Sequence, residues 1–314
     1  MFFTWDKIKE ISREIKRMPF EGISDELRGW SWSEPPVAPV YNVKMGISDI
    51  VTGYCDSGRN VYLKYVERVR EKPTPILNRG SIVHIVRERA ISTAKKLIYS
   101  LEELNGLVFY ESFMNEKEGL IGNIKNRFGE ESLQKYGWII DKIWLIAALT
   151  YSSQLENTLT RSRHLSRETI ASLTVPEHAE FAVDGSLVGL TPTLRLDSLL
   201  TPGIIVEVKT RPYKPEYSLT LAGYALAFES MYEVPVNHGI LLQVNINEYR
   251  RTIHFYPKII PLTDGLRMQF IQRRDRLAEL LANKEDPGMP NKCSPACPYL
   301  HYCNPPPNRI ADKP

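Results

Sequence analysis

The sequence predicts an α/β protein built on a mixed central sheet, and three observations predict it. From residue 175 the apolar period changes from that of a helix to two, the period of strands. A helical run at 216–232 then separates two groups of strand candidates. Residues 106–172, before the sheet, are almost wholly helical in pattern. At 314 residues and 36.0 kDa the chain has ample core to fold without staples.

The opening "MFFTWDKIKEISREIKRMPF" sets charges every three or four residues among apolar ones, so it reads as an amphipathic helix and not a signal peptide. Residues 21–45, with "RGWSWSEPPVAPVYN", read as an extended segment laid against the body. Next come a capped helix from 47, a turn holding Cys55, and a second helix; then "SIVHIVRERAISTAKKLIYSLEEL", with Ser81 available as N-cap. Within 106–172, glycines such as Gly119, Gly129 and Gly137 are expected to break the helix. The stretch "WIIDKIWLIAALTY" at 138–151 is too short for a membrane span and carries Asp141 and Lys142, so it predicts a buried helix.

The strand candidates are "EHAEFAV", a "DG" turn, "SLVGL", "TLRLDSLL", a "TPG" turn, "IIVEVKT", "HGILLQVNI" and "RTIHFYP". A last helix is expected at about 262–283, before a cysteine tail. The chain thus divides into an N-terminal helix and extended segment (1–46), helices carrying Cys55 and His84 (47–105), a helical insertion (106–172), a sheet core (173–283) and the tail (284–314).

A net charge of +3 permits a nucleic-acid partner without demanding one. Three basic clusters, "RSRHLSRE" (161–168), "KTRPYK" (209–214) and "RMQFIQRRDR" (267–276), fit either solvated faces or phosphate tracks.

In "LRLDSLLTPGIIVEVKT", a hairpin centred on Pro202 sets Asp197 opposite Glu207, and the period of two puts Lys209 on that same face. Two acids facing each other among Leu196, Ile205, Val206 and Val208 repel, and burial raises the cost. A divalent cation removes it: Asp197, Glu207 and the Val208 carbonyl are oxygen ligands suited to Mg²⁺ or Mn²⁺. Lys209 then orients or deprotonates water, or neutralises transition-state charge. Glu207 and Lys209 alone would be an ordinary strand-end ion pair. His84, among Ile82, Val83, Ile85 and Val86, is a satisfied core histidine or, if its helix packs on the hairpin, a third metal ligand.

All four cysteines are accounted for by Cys55 and the run Cys293, Cys297, Cys303. Four thiolates match a [4Fe-4S] cluster or a Cys₄ zinc site. The one-plus-three distribution favours iron–sulfur over zinc, with two disulfides third. Without a signal peptide, a cytoplasmic protein using its cysteines for metal or redox chemistry is expected.

One cysteine, "GSIVH", an Asp followed by "EVK" on adjacent strands, a helix bearing Tyr224 and three C-terminal cysteines together resemble the iron–sulfur RecB-like nucleases. Order and length are most similar to the CRISPR-associated RecB-like exonuclease family, the fourth numbered Cas family. "MFFTWDKIKEI" and "ELRGWSW" resemble its archaeal subtype I-A branch. The resemblance implies a PD-(D/E)XK fold with a [4Fe-4S] cluster on Cys55, Cys293, Cys297 and Cys303 joining the chain ends. It implies His84, Asp197 and Glu207 as ligands of Mg²⁺ or Mn²⁺, Lys209 as the catalytic lysine, and Tyr224 and Arg211 as DNA contacts. It further implies trimming of single-stranded DNA for CRISPR spacer acquisition, with the integrase proteins of the first and second Cas families as partners. Two positions depart from the pattern: Thr220 stands where such nucleases carry a glutamine, and the tail begins C-x3-C in place of C-x2-C.

Overall fold

The computed structural model describes residues 1–303 apart from 53–54, 72–74, 162–163, 202 and 295–296, and apart from the side chains of 75–77. A five-stranded sheet lies at its centre in the order β1 (Glu177–Val183), β2 (Leu194–Leu200), β3 (Ile204–Lys209), β4 (His238–Asn247), β5 (Thr252–Pro261). Neighbours are antiparallel except β3 and β4, which run parallel and are joined by α8 (Tyr217–Tyr232). The sheet is mixed because only that one connection carries a crossover helix; the others are short returns.

Each face of the sheet buries a separate core. On one side Val206, Val208, Leu242 and Val244 pack against helices α4 (Pro75–Ser100), α5 (Gly106–Asn115), α6 (Lys117–Arg161) and α7 (Arg167–Thr174), with α1 (Trp5–Ile15) beside them. On the other, Ile205, Leu241 and Leu196 pack against α8, α2 (Ile47–Val51) and α9 (Asp264–Asn283). The segment "WIIDKIWLIAALTY" lies within α6, with Ile139, Ile143, Trp144 and Tyr151 buried. Among the described residues no helix is long and apolar enough to cross a membrane.

Several local expectations change. Ser81 is not an N-cap: α4 starts at Pro75, and proline suits a first turn because its missing N–H is one of the orphan donors there. Of the expected glycine breaks only Gly129 interrupts α6, with φ 81° and ψ 166°. A single glycine costs about 1 kcal/mol in a helix, less than the packing that carries α6 past Gly119 and Gly137. "SLVGL" forms a 3-10 turn over Ser186–Val188, not a strand; Asp184 accepts from the Ser186 amide and draws the chain round. The turn residue Pro202 lies outside the described residues.

Buried ion pairs fix distant pieces to this frame. Glu229 of α8, wholly buried, accepts from Arg28 (2.8 Å) and from Arg267 of α9 (2.6 and 2.9 Å). Arg274, two α9 turns on, donates to the Val37 and Val188 carbonyls. Gly29 crosses α8 so closely that a Cβ there would lie 2.0 Å from the Leu226 carbonyl oxygen, which only glycine permits. The basic cluster 267–276 is therefore half structural: Arg267 and Arg274 serve the core, while Arg273 and Arg276 stay at the surface.

Candidate active site

The β2–β3 ladder pairs Ser198 with Val206 and Leu199 with Ile205 and ends there, with Asp197 and Glu207 each one residue beyond its last pair. Glu180 of β1 stands across Asp197 on the other side, between the pairs Ala179–Ser198 and Phe181–Leu196. Its φ of +50° is a left-handed conformation that a non-glycine residue adopts at a cost. Three carboxylates thus form a row across three strands.

Above the row lies α4. His84 Nδ1 is 2.9 Å from Asp197 Oδ1, and the other Asp197 oxygen accepts from the Val208 amide at 2.7 Å. The helix packs on the hairpin, which is the condition the sequence left open for His84. Arg87, three residues along, anchors that docking: its guanidinium donates to Ser198 Oγ (2.9 Å) and to buried Glu177. Lys209 Nζ donates to Glu207 Oε1 and lies 5.0 Å from the centre of the Tyr217 ring. Glu207 Oε2 is buried and has no hydrogen-bond partner.

The electrostatics follow from this packing. Burial, reinforced by Asp197, pushes the Glu207 carboxyl up to about 7 despite Lys209. Burial also acts to raise Asp197, but His84, the Val208 amide and Lys209 outweigh it and hold that carboxyl below its ordinary value. For Lys209, burial opposes the charge and Glu207 more than compensates, so its ammonium is held more strongly than usual. His84 is likewise raised, Asp197 overcoming burial.

Glu207, Lys209, His84 and Glu180 line a cleft of about 750 Å³, walled by Thr52, Glu88, Arg195, Arg211 and Tyr217 and, from the helical insertion, Arg127. Tyr224 lies to one side: its hydroxyl donates to the Arg195 carbonyl at 2.9 Å, and burial pushes it well above its ordinary value. Thr220 is buried in α8. Sequence reasoning passed over Gln243, the β4 partner of Lys209, whose Nε2 donates to the Lys209 and Arg211 carbonyls at 3.2 and 2.5 Å. Only the parallel pairing, made through α8, reveals it.

Could the row hold a cation? Two carboxylates, one of them with an orphaned buried oxygen, and an imidazole are donors a hard divalent ion takes, so the residues fit. Among the described residues no three such side chains stand as a formed shell; His84 bonds Asp197 and Lys209 bonds Glu207.

The four cysteines meet elsewhere. Cys55, Cys293, Cys297 and Cys303 line one small cavity with Asn60, Tyr299 and Leu300, and none of the four is in a disulfide. Cys303 closes the short helix α10 (Leu300–Cys303). Burial first, then the neighbouring thiols, raises Cys297; burial raises Cys303 against the opposing pull of Arg59. Four sulfur atoms line this one cavity, but among the described residues no three of them stand together as a formed metal shell.

A family model described as "CRISPR-associated exonuclease Csa1" matches residues 1–306. A Saccharolobus solfataricus protein of that same name is 34% identical over 306 residues, spanning 97% of this chain and 100% of the relative. A Thermoproteus tenax protein, again so named, is 30% identical over 302 residues, 94% of this chain and 98% of its own length.

Proposed function

The chain belongs to the family of CRISPR-associated exonuclease Csa1, and from that premise we propose that it is a metal-dependent deoxyribonuclease of PD-(D/E)XK type. It trims single-stranded DNA from an end for spacer acquisition. The observation that carries the reading is that Glu207, Lys209 and His84 line one cleft, with Asp197 bonded to His84 behind them and a Glu207 oxygen left unpaired.

Asp197, Glu207, His84 and the Val208 carbonyl would hold Mg²⁺ or Mn²⁺, which when bound polarises the scissile phosphate and lowers the pKa of water. The remaining work falls to the chain itself. Lys209, kept cationic by Glu207, neutralises charge as water adds to phosphorus and the P–O ester bond breaks, giving an alcohol and a phosphomonoester. Arg211, Arg195 and Arg127 on the cleft walls hold phosphates flanking the scissile one. Glu207 is proton-sharing near neutrality without a cation, so ion binding displaces a proton there.

The decisive assay is digestion of end-labelled single-stranded DNA with Mn²⁺. Lys209→Ala and Asp197→Ala are expected to lose at least about a hundredfold in rate while DNA binding persists. Unchanged rates in both refute the site; binding without cutting in the wild type supports a scaffold subunit instead.

The cavity lined by four thiols supports a [4Fe-4S] cluster on Cys55, Cys293, Cys297 and Cys303. Anaerobically purified protein should be brown and bleach with dithionite; colourless protein with stoichiometric zinc overturns this. Integrase proteins of the first and second Cas families are the partners this reading proposes, testable by co-purification.

A further inference from the structure

The cleft does not end at Lys209. Lys209 is paired with Gln243 and Gln243 with Tyr256, so one row of side chains runs from the carboxylates across β4 to the edge strand β5. The next row pairs Asn245 with His254. Along β5, Ile253 and Phe255 turn to the helical core while His254, Tyr256 and Lys258 take the opposite face, which is the face of Glu207 and Lys209. Helix α8 covers that face at Ile205 and Leu241; beyond Gln243 it is open.

What lies open there is aromatic and basic. Tyr256 is 54% exposed and Tyr213 44%. Lys258 Nζ sits 4.4 Å from the centre of the Tyr213 ring and donates to its hydroxyl at 3.1 Å, so the ring is held at the sheet edge by a cation. His254 and Tyr256 stand with ring centres 6.3 Å apart. Tyr213 belongs to "KTRPYK", the basic cluster that begins at Lys209 and leads outward. Arg250 and Arg251 add charge at the hairpin tip, where the acid Glu248 is already paired with Arg79. Pro257 and Pro261 lack the N–H that a further strand would need, so this edge is poorly made for extension by another sheet.

We propose that this outer face of the β4–β5 hairpin, with Tyr213, is a stacking platform for single-stranded nucleic acid, continuous with the cleft. The inference rests on the nuclease reading and extends it to substrate hold. Exposed rings beside cations take unpaired bases by their faces and phosphates by charge, without sequence preference. Two strand spacings, roughly 10 Å, separate Lys209 from Tyr256, on the order of three nucleotides of a stacked strand. The platform therefore grips the strand a few nucleotides from the scissile bond and favours long strands over short ones.

The test compares the double variants Tyr213→Ala/Tyr256→Ala and Tyr213→Phe/Tyr256→Phe with wild type. Binding of a fluorescein-labelled 20-mer of deoxythymidine is followed by anisotropy in EDTA. Hydrolysis of bis(p-nitrophenyl) phosphate with Mn²⁺ reports the cleft alone. The alanine pair should weaken 20-mer binding by about tenfold or more, with the phenylalanine pair near wild type and diester hydrolysis unchanged in both. Equal 20-mer affinity in the alanine pair overturns the platform, as does an equal loss in the phenylalanine pair. Altered self-association on gel filtration with DNA affinity intact makes the face a protein interface and also overturns it. A wild type that neither binds the 20-mer nor hydrolyses the diester removes the nuclease reading itself.

Discussion

Gln243 holds the end of β3 by a single amide. Its Nε2 serves the carbonyls of Lys209 and Arg211, which sets where those two side chains leave the strand, while its Oε1 is buried without a partner. Gln243→Leu strands both carbonyls and is expected to cost about 1 kcal/mol in urea unfolding, with a fall in DNA cleavage. Wild-type stability and rate would show that the strand end holds itself. At this scale the sequence was informative where geometry is local: a tight hairpin suffices to bring Asp197 and Glu207 to the end of one ladder, although β2 does not keep a strict period of two, since Leu196 and Leu200 face opposite cores. Gln243 was invisible because its register depends on a helix packing 30 residues away. His84 was visible only as a candidate, since nothing local says which way a helix docks.

At the scale of elements, the catalytic geometry depends on α4 lying fixed over β2. That docking is a buried ionic knot: Arg87 on α4, Glu177 on β1 and Ser198 on β2, with Ser198 Oγ donating to Glu177 at 2.7 Å and the Phe3 amide donating at 3.3 Å. Arg87→Ala leaves Glu177 buried and charged without its partner. It should destabilise by about 3–5 kcal/mol, read as a fall in thermal midpoint. The exposed neighbour Arg89→Ala should stay within about 0.5 kcal/mol. Equal effects from the two would deny the knot its role. Apolar periodicity foretold α4 and the strands, because burial sets both patterns. It misjudged where α4 begins, because a cap is a single local bond that six further residues of helix easily override.

For the whole molecule, the C-terminal tail meets α3 beside the cysteines, while the chain's first residues lie elsewhere, against Arg87 and Glu177. Arg59 of α3 (Arg59–Tyr65) donates to both oxygens of Asp286 (2.9 and 2.7 Å), and Asp286 also accepts from the Gly288 amide. Partial burial raises the Asp286 carboxyl, but Arg59 and that amide outweigh it, leaving it below its ordinary value. A carboxyl depressed in the folded state stabilises fully above its unfolded pKa of about 3.9 and loses that contribution as pH falls through the folded value. The difference in thermal midpoint between wild type and Asp286→Asn should therefore be constant from neutral pH to about pH 5 and vanish toward about pH 2. A difference independent of pH over that range would mean the ion pair is not what holds the tail. That Cys55 lies with the three tail cysteines was legible in the one-plus-three cysteine spacing, whereas the ion pair was not, since Arg59 and Asp286 are ordinary surface residues in sequence.

The knot on Glu229 has a consequence in time. Arg28 and Arg267 reach it from 201 and 38 residues away, and Leu27 lends its carbonyl to Arg267 across 240. Helix α8 is largely buried, and beyond the amides of Gly29 and Val236 its acid is balanced by charge only when the arginines are in place. During synthesis residues 25–31 are made long before α9, so the full knot forms only once α9 exists. Contacts so far apart in sequence slow folding.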